Sequence, residues 1–206
     1  MRLFCSLVTL LLLAPAAAAQ EFERPADWKV RLDRADADAS DLYFVAMPPG
    51  WHITTGPAGI FYDPARTATG AYRLSAEVHL FPGERREGVG VFFGGRQLEG
   101  ADQAYAYFLI RKDGRFLVKT RRGSETEVVV PWTEHTAILP HDGGEDPVKN
   151  VLAVEVGSEE VQFYVNGERV TSVPRSELDC DGVVGLRVNH ALNVHVSTLV
   201  VEQPSG

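Results

Sequence analysis

From Ala71 to Leu80 the chain alternates with period two. Tyr72, Leu74, Ala76, Val78 and Leu80 share one face, and Arg73, Ser75, Glu77 and His79 share the other. A two-residue period places successive side chains on opposite sides of an extended backbone, so this segment predicts a half-buried strand. Shorter runs with the same signal occur at 28–32, 89–93, 105–111, 116–121, 127–130, 151–156, 161–165, 183–188 and 194–201. Asp113-Gly114 and Asn166-Gly167 supply the positive φ angles of tight hairpins, Gly157 to Glu160 joins two more runs, and Pro82-Gly83 closes the long strand. The best helical candidate is the short stretch 175–178. Roughly ten to thirteen short strands without helices predict an antiparallel two-sheet sandwich of jelly-roll type.

The first residues follow a different rule. Arg2 precedes an apolar run from Leu3 to Ala14, and Pro15 with Ala16 to Ala19 leads into Gln20. A charged start, an apolar stretch and a small-residue site predict a cleaved signal peptide over 1–19, hence a periplasmic or secreted protein. The run is shorter than the roughly 20 residues of a bilayer span, and no other segment approaches that length. A polar lead-in over 20–40 precedes a single sandwich domain over 41–206. Beyond the leader Cys180 is the sole cysteine, so no internal disulfide forms. It sits between Asp179 and Asp181, which disfavour a thiolate and argue for a packing role.

Charge narrows the partners. The 206 residues carry 28 acids against 20 bases, a net charge of −8, which argues against nucleic-acid binding. Against that background, positions 111 to 122 hold six bases and one acid. With Asp113-Gly114 as a two-residue hairpin, Ile110 opposes Leu117 and Phe108 opposes Lys119. Tyr107, Leu109, Phe116 and Val118 then face the core, while Phe108, Ile110 and Leu117 face outward beside Lys112, Arg115, Lys119 and Arg121. Solvated bases paired with Glu125 and Glu127 are the plainer alternative.

Several stretches carry a resemblance. They are Gly88-Val-Gly-Val-Phe-Phe-Gly-Gly95, Tyr105-Ala-Tyr-Phe-Leu-Ile-Arg-Lys-Asp-Gly-Arg-Phe116 and Asn150-Val-Leu-Ala-Val-Glu-Val156. Val161-Gln-Phe-Tyr-Val-Asn-Gly-Glu-Arg-Val170 and Gly182-Val-Val-Gly-Leu-Arg-Val188 follow in order. Together they resemble the concanavalin-A-like lectin/glucanase sandwich superfamily, near its laminin-G-like modules and the 3-keto-disaccharide hydrolase-type domains of secreted bacterial proteins. The resemblance runs from about Pro49 to Glu202 and implies fold more than activity.

Glucanases of that superfamily carry carboxylates spaced as Glu-x-Asp-x-x-Glu on one strand, one to attack or activate water and one to protonate the leaving group. That spacing is absent here, which argues against catalysis. Glu77, His79 and His190 are the candidates for an alternative hydrolase or lyase site. Sugar recognition calls for flat aromatic faces beside polar groups. Trp51, His52, Tyr62, Phe108, Lys119, Arg121 and Trp132 are the candidate ligand-binding residues, with Trp28 assigned to packing.

No metal site is expected. Asp36, Asp38 and Ser40, or Asp179 to Gly182, resemble fragments of a calcium loop, so calcium is the one cofactor candidate; the next loop positions depart from the pattern. His190 and His195 lack a recognised metal spacing. The expectation is thus a non-catalytic module binding carbohydrate or envelope glycan, with acidic glycans favoured by the basic cluster. The alternatives are a glycoside-acting enzyme and an envelope module whose partner is a protein.

Overall fold

A computed structural model describes residues 23–34 and 36–203. The expected signal peptide lies outside the described residues. Fifteen strands form among the described residues. The N-terminal ones are β1 (Lys29–Leu32), β2 (Tyr43–Ala46), β3 (Trp51–Thr54), β4 (Gly59–Tyr62) and β5 (Thr67–Ala68). Then come β6 (Tyr72–Leu80), β7 (Val89–Arg96), β8 (Ala104–Arg111), β9 (Arg115–Arg122) and β10 (Glu125–Glu134). The last are β11 (Val148–Val156), β12 (Glu160–Val165), β13 (Glu168–Pro174), β14 (Gly182–Val188) and β15 (Asn193–Glu202). A single 3-10 turn, Arg175–Glu177, sits where the short helical stretch was expected.

The strands make two antiparallel sheets. One has eight strands in the order β1-β4-β14-β7-β8-β9-β10, with β5 also on β14; the other has seven, in the order β13-β12-β11-β6-β15-β3-β2. Their inner faces enclose the core. The alternation of 71–80 is realised strictly, with Tyr72, Leu74, Ala76, Val78 and Leu80 buried in β6. Across the interface stand Val91 and Phe93 of β7, Phe108 of β8 and Phe116 of β9, and the Phe108 and Phe163 rings lie 5.1 Å apart. Trp28 is buried at one end, as expected of a packing residue.

The two sheets differ on their outer faces. The seven-stranded sheet presents Arg73, Ser75, Glu77 and His79, the polar half of its alternation. The eight-stranded sheet instead buries a second apolar cluster on its outer face, including Ile60, Phe92, Tyr105, Tyr107, Leu109 and Leu117. Strands apolar on both faces carry no alternation, which is why Gly59–Tyr62, buried throughout, gives no signal in the sequence. Asn166-Gly167 makes the expected two-residue hairpin, both residues at positive φ between the paired Val165 and Glu168. The lead-in contributes β1, which pairs with β4 at the sheet edge.

Candidate functional site

The β8–β9 hairpin decides which residues face outward. The expected two-residue loop is corrected to three residues. Arg111 opposes Arg115 across Lys112, Asp113 and Gly114, with Gly114 at φ 78°. A turn ending in a left-handed glycine is the ordinary form of a three-residue hairpin. The register therefore moves by one residue: Tyr107 opposes Lys119 and Leu109 opposes Leu117. Such a slip sends every side chain of one strand to the other face. Phe108 and Ile110 belong to the core, and Tyr107 and Leu109 lie outside, the reverse of the sequence expectation. Phe108 is fully buried and touches no ligand face.

Outward from these strands lies a groove of about 580 Å³. Tyr107, Leu109 and Leu117 form its apolar floor, and Val128, Pro131 and Trp132 of β10 form one wall. Arg86 and Glu87, ahead of β7, and Asn189 and His190, after β14, close the far end. Trp132 reaches over the strands because Gly88 has no side chain there; a Cβ at Gly88 would stand 2.9 Å from the Trp132 ring. The Arg111 guanidinium sits 4.5 Å from the Trp132 ring centre and donates to Asp113 at 2.7 Å. Lys119, half-buried in the floor, forms no salt bridge with a carboxylate among the described residues.

Beneath the groove is a buried ion network. Asp33, just beyond β1, accepts from both terminal nitrogens of Arg187, one of them at 2.6 Å, and its Oδ1 is 3.1 Å from Arg121. Arg187 and Arg121 are 4% and 7% exposed, so one carboxylate serves two buried guanidiniums. Burial alone would raise the Asp33 pKa, but the Arg187 hydrogen bond, both guanidinium charges and His190 outweigh it and hold the carboxyl below the ordinary range. Arg187 also lies 5.5 Å from the centre of the Tyr107 ring and donates to Asn189 at 3.2 Å. Burial pushes the Tyr107 phenol up to about 12, so it stays protonated and able to donate.

The structure brings Lys119, Trp132 and His190 to this groove, with Arg121 beneath it, and disperses the other candidates. Tyr62 is buried on β4, 6.1 Å from Phe92, beside a smaller recess formed with Leu98 and Glu99. Trp51 packs 4.5 Å from Trp28 against the core. His52 lies on the seven-stranded sheet with its ring 6.2 Å from that of His195. Glu77 and His79 share that outer surface, so they do not join His190. There His79 Nε2 meets both Ser197 Oγ, at 2.7 Å, and Glu77, at 3.3 Å. A serine–histidine–acid triad uses the two ring nitrogens separately, so this is not one.

Sequence reasoning missed Asp33, Tyr107, Arg187 and Asn189. Arg187 did leave a signal, as the one charge in the apolar run 182–188.

The calcium-like segments are engaged otherwise. Asp36 pairs with Arg34 at 2.7 Å, Asp38 accepts from the Ser40 amide, and Asp181 pairs with Arg175. Among the described residues, no three His, Cys, Asp or Glu side chains stand, in their present orientations, where they could hold a metal ion. Cys180 is buried, which pushes its thiol up to about 11. Another recess, of about 630 Å³, lies at one end of the inner strands of the seven-stranded sheet around Arg73, Glu155 and Glu202. Its one aromatic residue, Tyr72, is turned into the core, so it offers no stacking surface.

No protein-family model and no curated protein sequence matches the chain. Solved structures do. Carbohydrate-binding module CBM66 from Bacillus subtilis has a TM-score of 0.64 at 11% identity, over 86% of this chain and 96% of that one. A Bacillus subtilis protein of unknown function with a galectin-like fold gives 0.61 at 13%, over 86% and 89%. A mixed-linkage-glucan GH16 protein of Bacteroides ovatus, solved with its G4G4G3G product, gives 0.58 at 8%, over 87% and 96%. The sheet orders, the two-sided strands and these likenesses agree: the chain folds as a concanavalin-A-like jelly-roll sandwich.

Proposed function

We propose that this protein is a non-catalytic, extracytoplasmic carbohydrate-binding sandwich whose ligand lies in the groove of the eight-stranded sheet. The observation that carries it is one groove in which Trp132 and Lys119 both line an apolar floor anchored by a buried ion network. A ring wall suits the apolar face of a sugar, and Lys119, Tyr107, Asn189 and Glu87 offer donors and acceptors for its hydroxyls. The carbohydrate-binding module that shares the fold supports this reading, as does the signal-like N-terminal sequence. Arg86, Arg111, Lys119 and Arg187 line the groove against Asp33, Glu87 and the Asp113 that holds Arg111. This surplus of positive charge, on a protein of net charge −8, favours a glycan bearing carboxylates.

The hydrolase alternative has less behind it. Asp33 is fixed between two guanidiniums and held ionised, the wrong state for protonating a leaving group. The test is a glycan array of neutral and uronic-acid polysaccharides, followed by titration of the best ligand with Trp132→Ala and Lys119→Ala. Selective binding lost in Trp132→Ala, and weakened by salt and by Lys119→Ala, is the expected result. A blank array, or binding indifferent to both substitutions, overturns it. Retention of an envelope protein instead would favour the interaction-module reading.

A further inference from the structure

Half of the chain's six histidines occupy one row. His195 of β15 is directly opposite His52 of β3 on one side and His79 of β6 on the other. All three point to the outer surface of the seven-stranded sheet, since their neighbours Ile53, Val78, Val194 and Val196 are buried in the core. The His195 ring centre lies 5.7 Å from that of His79 and 6.2 Å from that of His52. Glu77 adjoins the row, its carboxylate 3.3 Å from His79 Nε2.

We propose that this row is a binding site for a borderline divalent transition-metal ion such as zinc, copper(II) or nickel, with His195 as the shared ligand between His79 and His52 and Glu77 as the carboxylate. Directly opposed residues on adjacent strands have Cβ atoms about 5 Å apart, so their side chains can meet at one point above the sheet. An imidazole nitrogen binds zinc at about 2.0–2.1 Å, which puts the centres of two rings sharing one ion about 5 to 6 Å apart. The His79–His195 separation of 5.7 Å falls in that range and the His52–His195 separation of 6.2 Å lies just above it. The rings do not yet converge: His195 Nε2 faces the Pro49 carbonyl at 2.7 Å and His79 Nε2 faces Ser197 Oγ. His195 is held by that one hydrogen bond and His79 by contacts to Ser197 and Glu77, all on half-buried side chains and released by rotation about the side-chain bonds. Lys149 holds the second Glu77 oxygen at 3.1 Å and is itself exposed, so it can swing away when a cation arrives.

The chemistry selects the ion. Imidazole lone pairs suit zinc, copper and nickel, whereas calcium and magnesium require oxygen donors.

The test titrates zinc, nickel and copper chlorides into the full chain without an affinity tag, alongside calcium chloride. The expected result is one transition-metal ion bound per chain, reversed by chelator, with no calcium uptake at the row. His195→Gln abolishes the binding, and His79→Gln and His52→Gln each weaken it by at least about tenfold. His135→Gln leaves it unchanged. Zinc added to the unsubstituted protein shifts the ring resonances of His195 and His79, a readout that needs no variant to fold. No uptake, uptake unchanged in a folded His195→Gln, or shifts confined to other histidines each overturn the proposal. The site lies on the sheet opposite the carbohydrate groove, so neither result bears on the glycan assay.

Discussion

The outer faces of the two sheets solve opposite problems. On the seven-stranded sheet, polar side chains meet water directly, and ion pairs such as Lys149–Glu77 are exposed; pairs of that kind contribute at most about 1 kcal/mol. On the eight-stranded sheet, the outer face is itself apolar and the charges within it are buried. There Arg187 and Arg121, which keep their charge in any surroundings, have Asp33 between them as their shared carboxylate. Losing one partner of a buried pair costs far more than the pair contributes, because the survivor stays charged and dry. One face is therefore tolerant and the other brittle, and the candidate sugar groove is built on the brittle one.

The sharpest way to break the comparison lies within one strand. Phe108→Ala empties a core position and should destabilise the fold by about 3–5 kcal/mol, while Tyr107→Ala, one residue away on the groove side, should cost less and act on glycan binding. Urea unfolding of the two variants checks this, and equal losses would refute the assigned register. Next in size is Asp33→Ala, expected to cost about 3 kcal/mol by the same assay because two buried guanidiniums lose their carboxylate. Glu77→Ala on the opposite face should stay within about 1 kcal/mol.

Trp132→Ala follows: glycan affinity should fall by about tenfold or more with little change in stability, measured by titration calorimetry. The smallest effects are in pH. The folded pKa of Asp33 is depressed, so its stabilisation is present above about pH 4 and is lost as pH falls through the folded value. The folded pKa of His52 is also depressed, so its stabilisation is complete above about pH 6.5 and declines below that. Thermal melts across pH should show both steps, with Asp33→Asn shrinking the acid one, to which Asp36, Asp38 and Glu77 also contribute, and His52→Gln reducing the near-neutral one.

The same contrast explains what the sequence disclosed. Strands of the seven-stranded sheet with one wet face, such as Tyr72–Leu80, could be read residue by residue. Tyr43–Ala46 and Trp51–Thr54 escaped because four residues hold barely two periods. Tyr105–Arg111 was found as a strand but turned inside out, since a strand apolar on both faces lets the loop length decide its orientation. Trp132, Lys119 and His190 could be picked out as chemical types. Asp33 could not, being one acid among several in 33–41. Only folding brings it to Arg187, 154 residues away.

That separation has a kinetic consequence. The Asp33–Arg187 clasp links a segment near the start of the chain to one near its end, so the ion network beneath the groove cannot form until almost the whole polypeptide is present. Closing so long a loop is slow compared with forming local hairpins such as β8–β9. The aromatic wall and floor can assemble early, and the Asp33–Arg187 pair beneath them forms last. Fragments lacking either end would keep Trp132 and lose the groove.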